Sequence, residues 1–127
     1  MLLYITLGTS DLKRARGFYD AALGALSYVC RRAEEFEIGY AALGDSRSRL
    51  WITTPFNKRA ASVGNGSMVA FDAPDRASVD AFYAAALDSG GTDEGKPGLR
   101  PYHADFYACY VRDPDGNKLS AVCERAE

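Results

Sequence analysis

Histidine occurs once in this chain of 127 residues, at His103, so only one side chain has an unperturbed pKa near neutrality. Cysteine occurs three times, at Cys30, Cys109 and Cys123, with no Cys-x-x-Cys pair. Such an odd set reads as free thiols, buried or half-buried, in a reducing cytoplasm. A reactive Cys109 would need a neighbouring base to lower its pKa, and the sequence places none beside it. Charge of either sign is not in excess: 15 Lys and Arg stand against 17 Asp and Glu, a formal net charge of −2. That balance gives no drive toward nucleic acid or an anionic membrane. No apolar run approaches the ~18–20 residues needed to span a bilayer. Residues 1–7 lack a basic leader and a small-residue cleavage site, so they read as a first strand rather than a secretory signal. Gly64-x-Gly66 and Gly95-x-x-Gly98 do not lead from a strand into a helix, as a phosphate loop requires. No Ser-His-Asp order or nucleophile elbow occurs.

What the chain does have is a closing hairpin, Phe106 to Cys123. Aromatic and branched residues flank Asp113-Pro-Asp-Gly-Asn117, where Pro114 presets φ and Gly116 can take the left-handed conformation. If Asp113 sits opposite Asn117, Tyr110 lies opposite Ser120. Earlier elements follow from periodicity. Leu2 to Leu7 reads as a strand. Ser10 or Asp11 caps a helix over Leu12 to Leu23, and Gly24 stops it. Strands are expected at Ala25–Arg32, Phe36–Leu43 and Arg49–Thr53, followed by a linker rich in Pro, Asn and Gly. The pattern then restarts: a strand over Ser67–Phe71, a helix over Ala77–Leu87, a weak strand over Gly91–Lys96 and a loop over Gly98–Ala104.

The restart is an internal repeat. Phe18-Tyr19-x-Ala21-Ala22-Leu23 recurs as Phe82-Tyr83-x-Ala85-Ala86-Leu87 at a constant offset of 64. The same offset sets Asp11 on Asp75 and Tyr4 on Met68. The expected fold is α+β: two βαβββ modules forming a cupped mixed sheet with helices on the outside, in a single domain over 1–127. Its parts are a first module over 1–54, a linker over 55–65 and a second module over 66–127. The other architecture weighed is the ferredoxin-like βαββαβ fold. It allows only two strands between helices, whereas Tyr28, Tyr40 and Trp51 fall on three.

The stretch Tyr4-Ile-Thr-Leu-Gly-Thr-Ser-Asp-Leu12, with Gly17-Phe-Tyr-Asp20, Phe82-Tyr83 and the Asp113–Asn117 turn, resembles the vicinal oxygen chelate superfamily. That group contains glyoxalase I, extradiol dioxygenases and bleomycin resistance proteins; the chain looks most like a small bacterial glyoxalase-like branch. The resemblance implies a cup, commonly completed in a homodimer. In the enzymes the cup holds a divalent metal, with His, Gln and Glu ligands on the first and last strands of each module. Carried over, those positions fall at Tyr4, near Trp51, at Met68 and at Ser120. A phenol, an indole, a thioether and a hydroxyl are poor donors for a hard or borderline cation. Leu50 and Ile52 would serve no better than Trp51. The expectation is therefore no metal and no cofactor, with a displaced site from His103, Asp72, Asp105 or Glu37 as the alternative.

Tyr4, Trp51, Met68, Tyr110 and Ser120 would instead line an apolar, aromatic pocket suited to a small organic ligand. His103, in the loop entering the final hairpin, would hydrogen-bond that ligand or act as a base. The blander readings are a cup filled by these side chains and a solvated loop histidine. Arg31-Arg32 and Arg47-x-Arg49 read as solvated turn and strand-end charges. Three functions follow in order of preference: a metal-free binding protein, an enzyme using a displaced metal or His103, and an interaction module with a filled cup. Partners are then a small organic ligand and a second copy of the chain, with neither nucleic acid nor membrane.

Overall fold

The computed structural model describes residues 1–127. The first half runs β1 (Ile5–Gly8), α1 (Leu12–Gly24), β2 (Tyr28–Ala33), β3 (Glu37–Ala42) and β4 (Leu50–Thr53). The second runs β5 (Val69–Asp72), α2 (Arg76–Asp88), β6 (Thr92–Leu99), β7 (Tyr107–Arg112) and β8 (Lys118–Cys123). Each half makes one four-stranded mixed sheet, ordered β1-β4-β3-β2 and β5-β8-β7-β6. The first strand of each half runs parallel to the last, and the other pairs are antiparallel. The fold is therefore the doubled βαβββ arrangement, with three strands after each helix.

The repeat explains the core. Asp11 caps α1 by accepting a bond from the Arg14 amide, and Asp75 caps α2 by accepting one from Ser78. Helical spacing then buries Ala15, Phe18, Tyr19, Ala22 and Leu23 on α1, and Val79, Phe82 and Ala86 on α2. The helices pack on each other and on their own sheets. Ile38, Tyr40, Leu50 and Ile52 of the first sheet and Phe71, Cys109, Val111 and Leu119 of the second join them in one cluster. Because strand side chains alternate, the opposite face of each sheet carries no helix.

Several boundaries differ from expectation. Gly24 ends α1 but is not the left-handed stop; the chain turns at Ala25, in the right-handed region, and at Ser27, whose φ is 63°. Gly90 does take the positive φ after α2, at 97°. β1 and β5 start at Ile5 and Val69, so Tyr4 and Met68 stand one residue ahead of their strands. β6 is longer than the weak strand expected and takes in Gly98 and Leu99. Register shifts between Asp93 and Gly98 let Pro97 sit in it without a ladder bond.

The closing hairpin has the expected register. The Asp113 amide donates to the Asn117 carbonyl at 2.9 Å, Gly116 has φ of 94°, and Tyr110 pairs with Ser120.

Candidate functional site

On the helix-free face of the first sheet, one row of paired positions crosses all four strands: Thr6, Trp51, Gly39 and Arg32. Gly39 is the key to that row. A Cβ there would lie 2.8 Å from the Trp51 ring and 2.6 Å from the Ser48 hydroxyl oxygen. With only hydrogen at this position, the indole reaches over β3 as a flat floor.

Above that floor is a hollow of about 710 Å³. Tyr4 and Trp51 are its aromatic lining. Its walls are polar, unlike the apolar pocket expected: Arg31, Arg32, Glu37, Arg47 and Ser48 all border it. In a regular strand Arg31 and Arg32 would point to opposite faces. The pairing of β2 with β3 slips between Cys30 and Arg32, leaving Arg31 as the extra residue of a bulge, and both residues border the hollow. Arg32 is ion-paired with Glu34, and Arg49 with Asp45 at 2.9 Å. Arg31 and Arg47 take part in no ion pair.

The second sheet has a corresponding row: Ala70, Ser120, Tyr110 and Gly95. The aromatic residue has moved one strand over, yet again leans on a glycine; a Cβ at Gly95 would lie 2.8 Å from the Tyr110 ring. The Arg100 guanidinium and the Lys118 ammonium lie 5.4 and 5.6 Å from that ring's centre. Ser120 is fully buried, and its hydroxyl has no hydrogen-bond partner.

The remaining expected site residues lie apart. Met68 lines a smaller cavity of about 230 Å³ with Thr6, Asn117 and Lys118. His103 is on the surface, where Nδ1 accepts a bond from the Asp105 amide and Nε2 lies 3.3 Å from Glu124. Its ring packs edge-on against Phe106. Neither Met68 nor His103 borders the larger hollow, so the six residues expected together fall into separate groups within one chain. Arg31, Arg32 and Arg47 are exposed, as expected of solvated charges, and they also border the hollow. No sequence signal announces the bulge that sets Arg31 and Arg32 on one face. No three His, Cys, Asp or Glu side chains converge anywhere in the chain.

Cys109 is buried in the core, and burial pushes its thiol up to about 11. It is a packing residue rather than a nucleophile.

A sequence model of the Glyoxalase/Bleomycin resistance protein/Dioxygenase superfamily matches residues 1–120. No curated protein sequence matches the chain. Among solved structures, a glyoxalase/bleomycin resistance protein from Albidiferax ferrireducens T118 is 38% identical, with a TM-score of 0.88 over 98% of this chain and 99% of that one. TnmS3, an antibiotic binding protein from Streptomyces sp. CB03234, has the same fold at 19% identity, with a TM-score of 0.69 over 98% and 96% of the two chains. An E144Q mutant of glyoxalase I from Zea mays matches at 23% identity and a TM-score of 0.68, over 95% of this chain and 46% of that one.

Proposed function

The chain belongs to the glyoxalase/bleomycin resistance protein/dioxygenase superfamily, and from that premise we propose that it binds a small organic molecule in the hollow over Trp51, without the metal used by the family's enzymes. The observation that carries this reading is the hollow itself, of about 710 Å³, with an indole floor that Gly39 makes possible. That volume lies in the range of small-molecule sites. An antibiotic binding protein among the structural neighbours has the same fold, so the scaffold is compatible with binding as a function.

The donors at the four family ligand positions do not fit a divalent metal. Trp51 offers no lone pair and spreads its ring over Gly39. Met68 supplies a thioether and Tyr4 a phenol. The Ser120 hydroxyl is a poor substitute for a carboxylate. Tyr4 and Trp51 border one hollow, whereas Met68 borders another cavity and Ser120 neither. His103, paired with Glu124 away from the hollow, adds no base to it.

In this reading the protein is a cytoplasmic homodimer, a single domain with modules over 1–54 and 66–127. Leu2, Leu3, Tyr4 and Met68 are exposed, and the second copy would cover them. The three free thiols suit a reducing compartment. Tyr110, half-buried on the other sheet, would form a second wall for the ligand.

The deciding experiment combines metal analysis with ligand screening by thermal shift. The expected result is no stoichiometric metal, with stabilisation by an organic compound that Trp51→Ala abolishes. Tightly held metal at one per chain, lost on replacing Tyr4 and Met68, would sink the metal-free reading.

A further inference from the structure

We infer that the hollow over Trp51 is built for a planar organic anion, a flat π-system carrying a carboxylate or similar oxyanion; this rests on the proposed binding role and names its ligand class. Three features support it.

The first is local charge. The chain has a net charge of −2, yet the hollow is bordered by Arg31, Arg32 and Arg47 with Glu37 as the one carboxylate. The second is that the other arginines nearby are already neutralised, Arg32 by Glu34 and Arg49 by Asp45. Arg31 and Arg47 make no ion pair. A guanidinium presents a planar fork of N–H donors that matches a carboxylate with two parallel bonds. The third is backbone construction. The β2 bulge sets Arg31 and Arg32 on one face, both toward the hollow, and Gly39 leaves space for the indole to lie across β3. Bulges re-aim side chains in this way.

The two halves of such a ligand then have separate partners. Its ring stacks on Trp51 and touches Tyr4. Its anionic group is held by Arg31 and Arg47. Ser46 and Ser48 hydroxyls border the same hollow and can bond a ring substituent. Glu37 disfavours a second negative group at the β3 end and accepts a hydrogen bond from a ligand hydroxyl or amide.

Trp51 is the only tryptophan in the chain, so a single indole N–H signal in the NMR spectrum reports on the floor of the hollow. The test titrates the ¹⁵N-labelled protein with 2-naphthoate and with its neutral counterpart 2-naphthamide. The inference expects 2-naphthoate to shift the Trp51 signal and to bind about tenfold or more tightly than 2-naphthamide, as a charge-assisted bond would give. Arg31→Gln and Arg47→Gln should each remove that preference. Both residues are exposed, so the variants should keep the wild-type spectrum elsewhere. Equal binding of the two probes, unchanged in the Gln variants, would overturn the anion preference and leave the hollow as a binding site. No shift of the Trp51 signal with either probe, and none in a screen of neutral aromatic compounds, would overturn the hollow-binding role as well.

Discussion

The Tyr19 hydroxyl donates a 2.5 Å hydrogen bond to Oδ2 of Asp113, joining the middle of α1 to the turn between β7 and β8. Both groups are buried. The same carboxylate accepts bonds from the Asp115 and Asn117 amides and from the Asn117 side chain, all at 2.9 Å. Asn117 also donates to the Gly8 carbonyl at the end of β1, and Asp115 accepts from Thr9 and Ser10. One turn of the second half thus satisfies polar groups at the start of the first helix.

Tyr19→Phe should therefore destabilise the protein by about 1–3 kcal/mol, because the buried carboxylate loses a donor while ring packing is kept. Urea unfolding followed by circular dichroism would measure it. Asp113→Ala should cost more, since several donors lose their acceptor at once.

Alkaline pH should weaken the fold. Burial, with a hydrogen bond to a carboxylate, holds the Tyr19 and Tyr40 hydroxyls above the ordinary tyrosine pKa. A group whose pKa is raised on folding gives stability that is fully present below its unfolded pKa and lost as pH rises through the folded value. Stability should then be level at neutral pH on this account and fall above about pH 10. The slope should diminish in Tyr19→Phe and Tyr40→Phe. Absorbance of tyrosinate should show these two rings titrating after the exposed ones.

Gly39→Ala should damage the site more than the fold. The new methyl would meet the Trp51 ring at 2.8 Å and Ser48 at 2.6 Å, so both must move. Overpacking of this kind typically costs about 1–3 kcal/mol. A shifted Trp51 emission maximum and a loss of ligand-induced stabilisation should accompany it.

Thiol counting should separate the cysteines. Half-buried Cys30 should react with a disulfide reagent at pH 8 before the others. Cys109, with its thiol pushed up to about 11, should react only as the protein unfolds.

His103→Ala should leave ligand affinity at the hollow within about twofold of wild type, in line with its exposed position beside Glu124. A larger loss, measured by the same thermal shift that tests Trp51→Ala, would bring the loop back into the site.

The repeat, the helix caps and the hairpin register were legible in the chain because each is local. A 64-residue offset needs only subtraction, and Tyr110 meets Ser120 because a short turn leaves no other pairing. Helical spacing named Phe18 and Phe82 as core for the same reason. The site was legible only in part. Tyr4 and Trp51 could be matched by position, but which residues stand around them depends on strand pairing. The slip at Arg31 reverses the face that alternation assigns, and Gly39 counts only once Trp51 lies beside it. The sequence by itself determined the doubled βαβββ fold. The tertiary structure alone decided that Tyr4 and Trp51 share a hollow with three arginines while Met68, Ser120 and His103 lie elsewhere. Pairing register and bulges are settled by contacts between distant strands, which no local pattern of residues specifies.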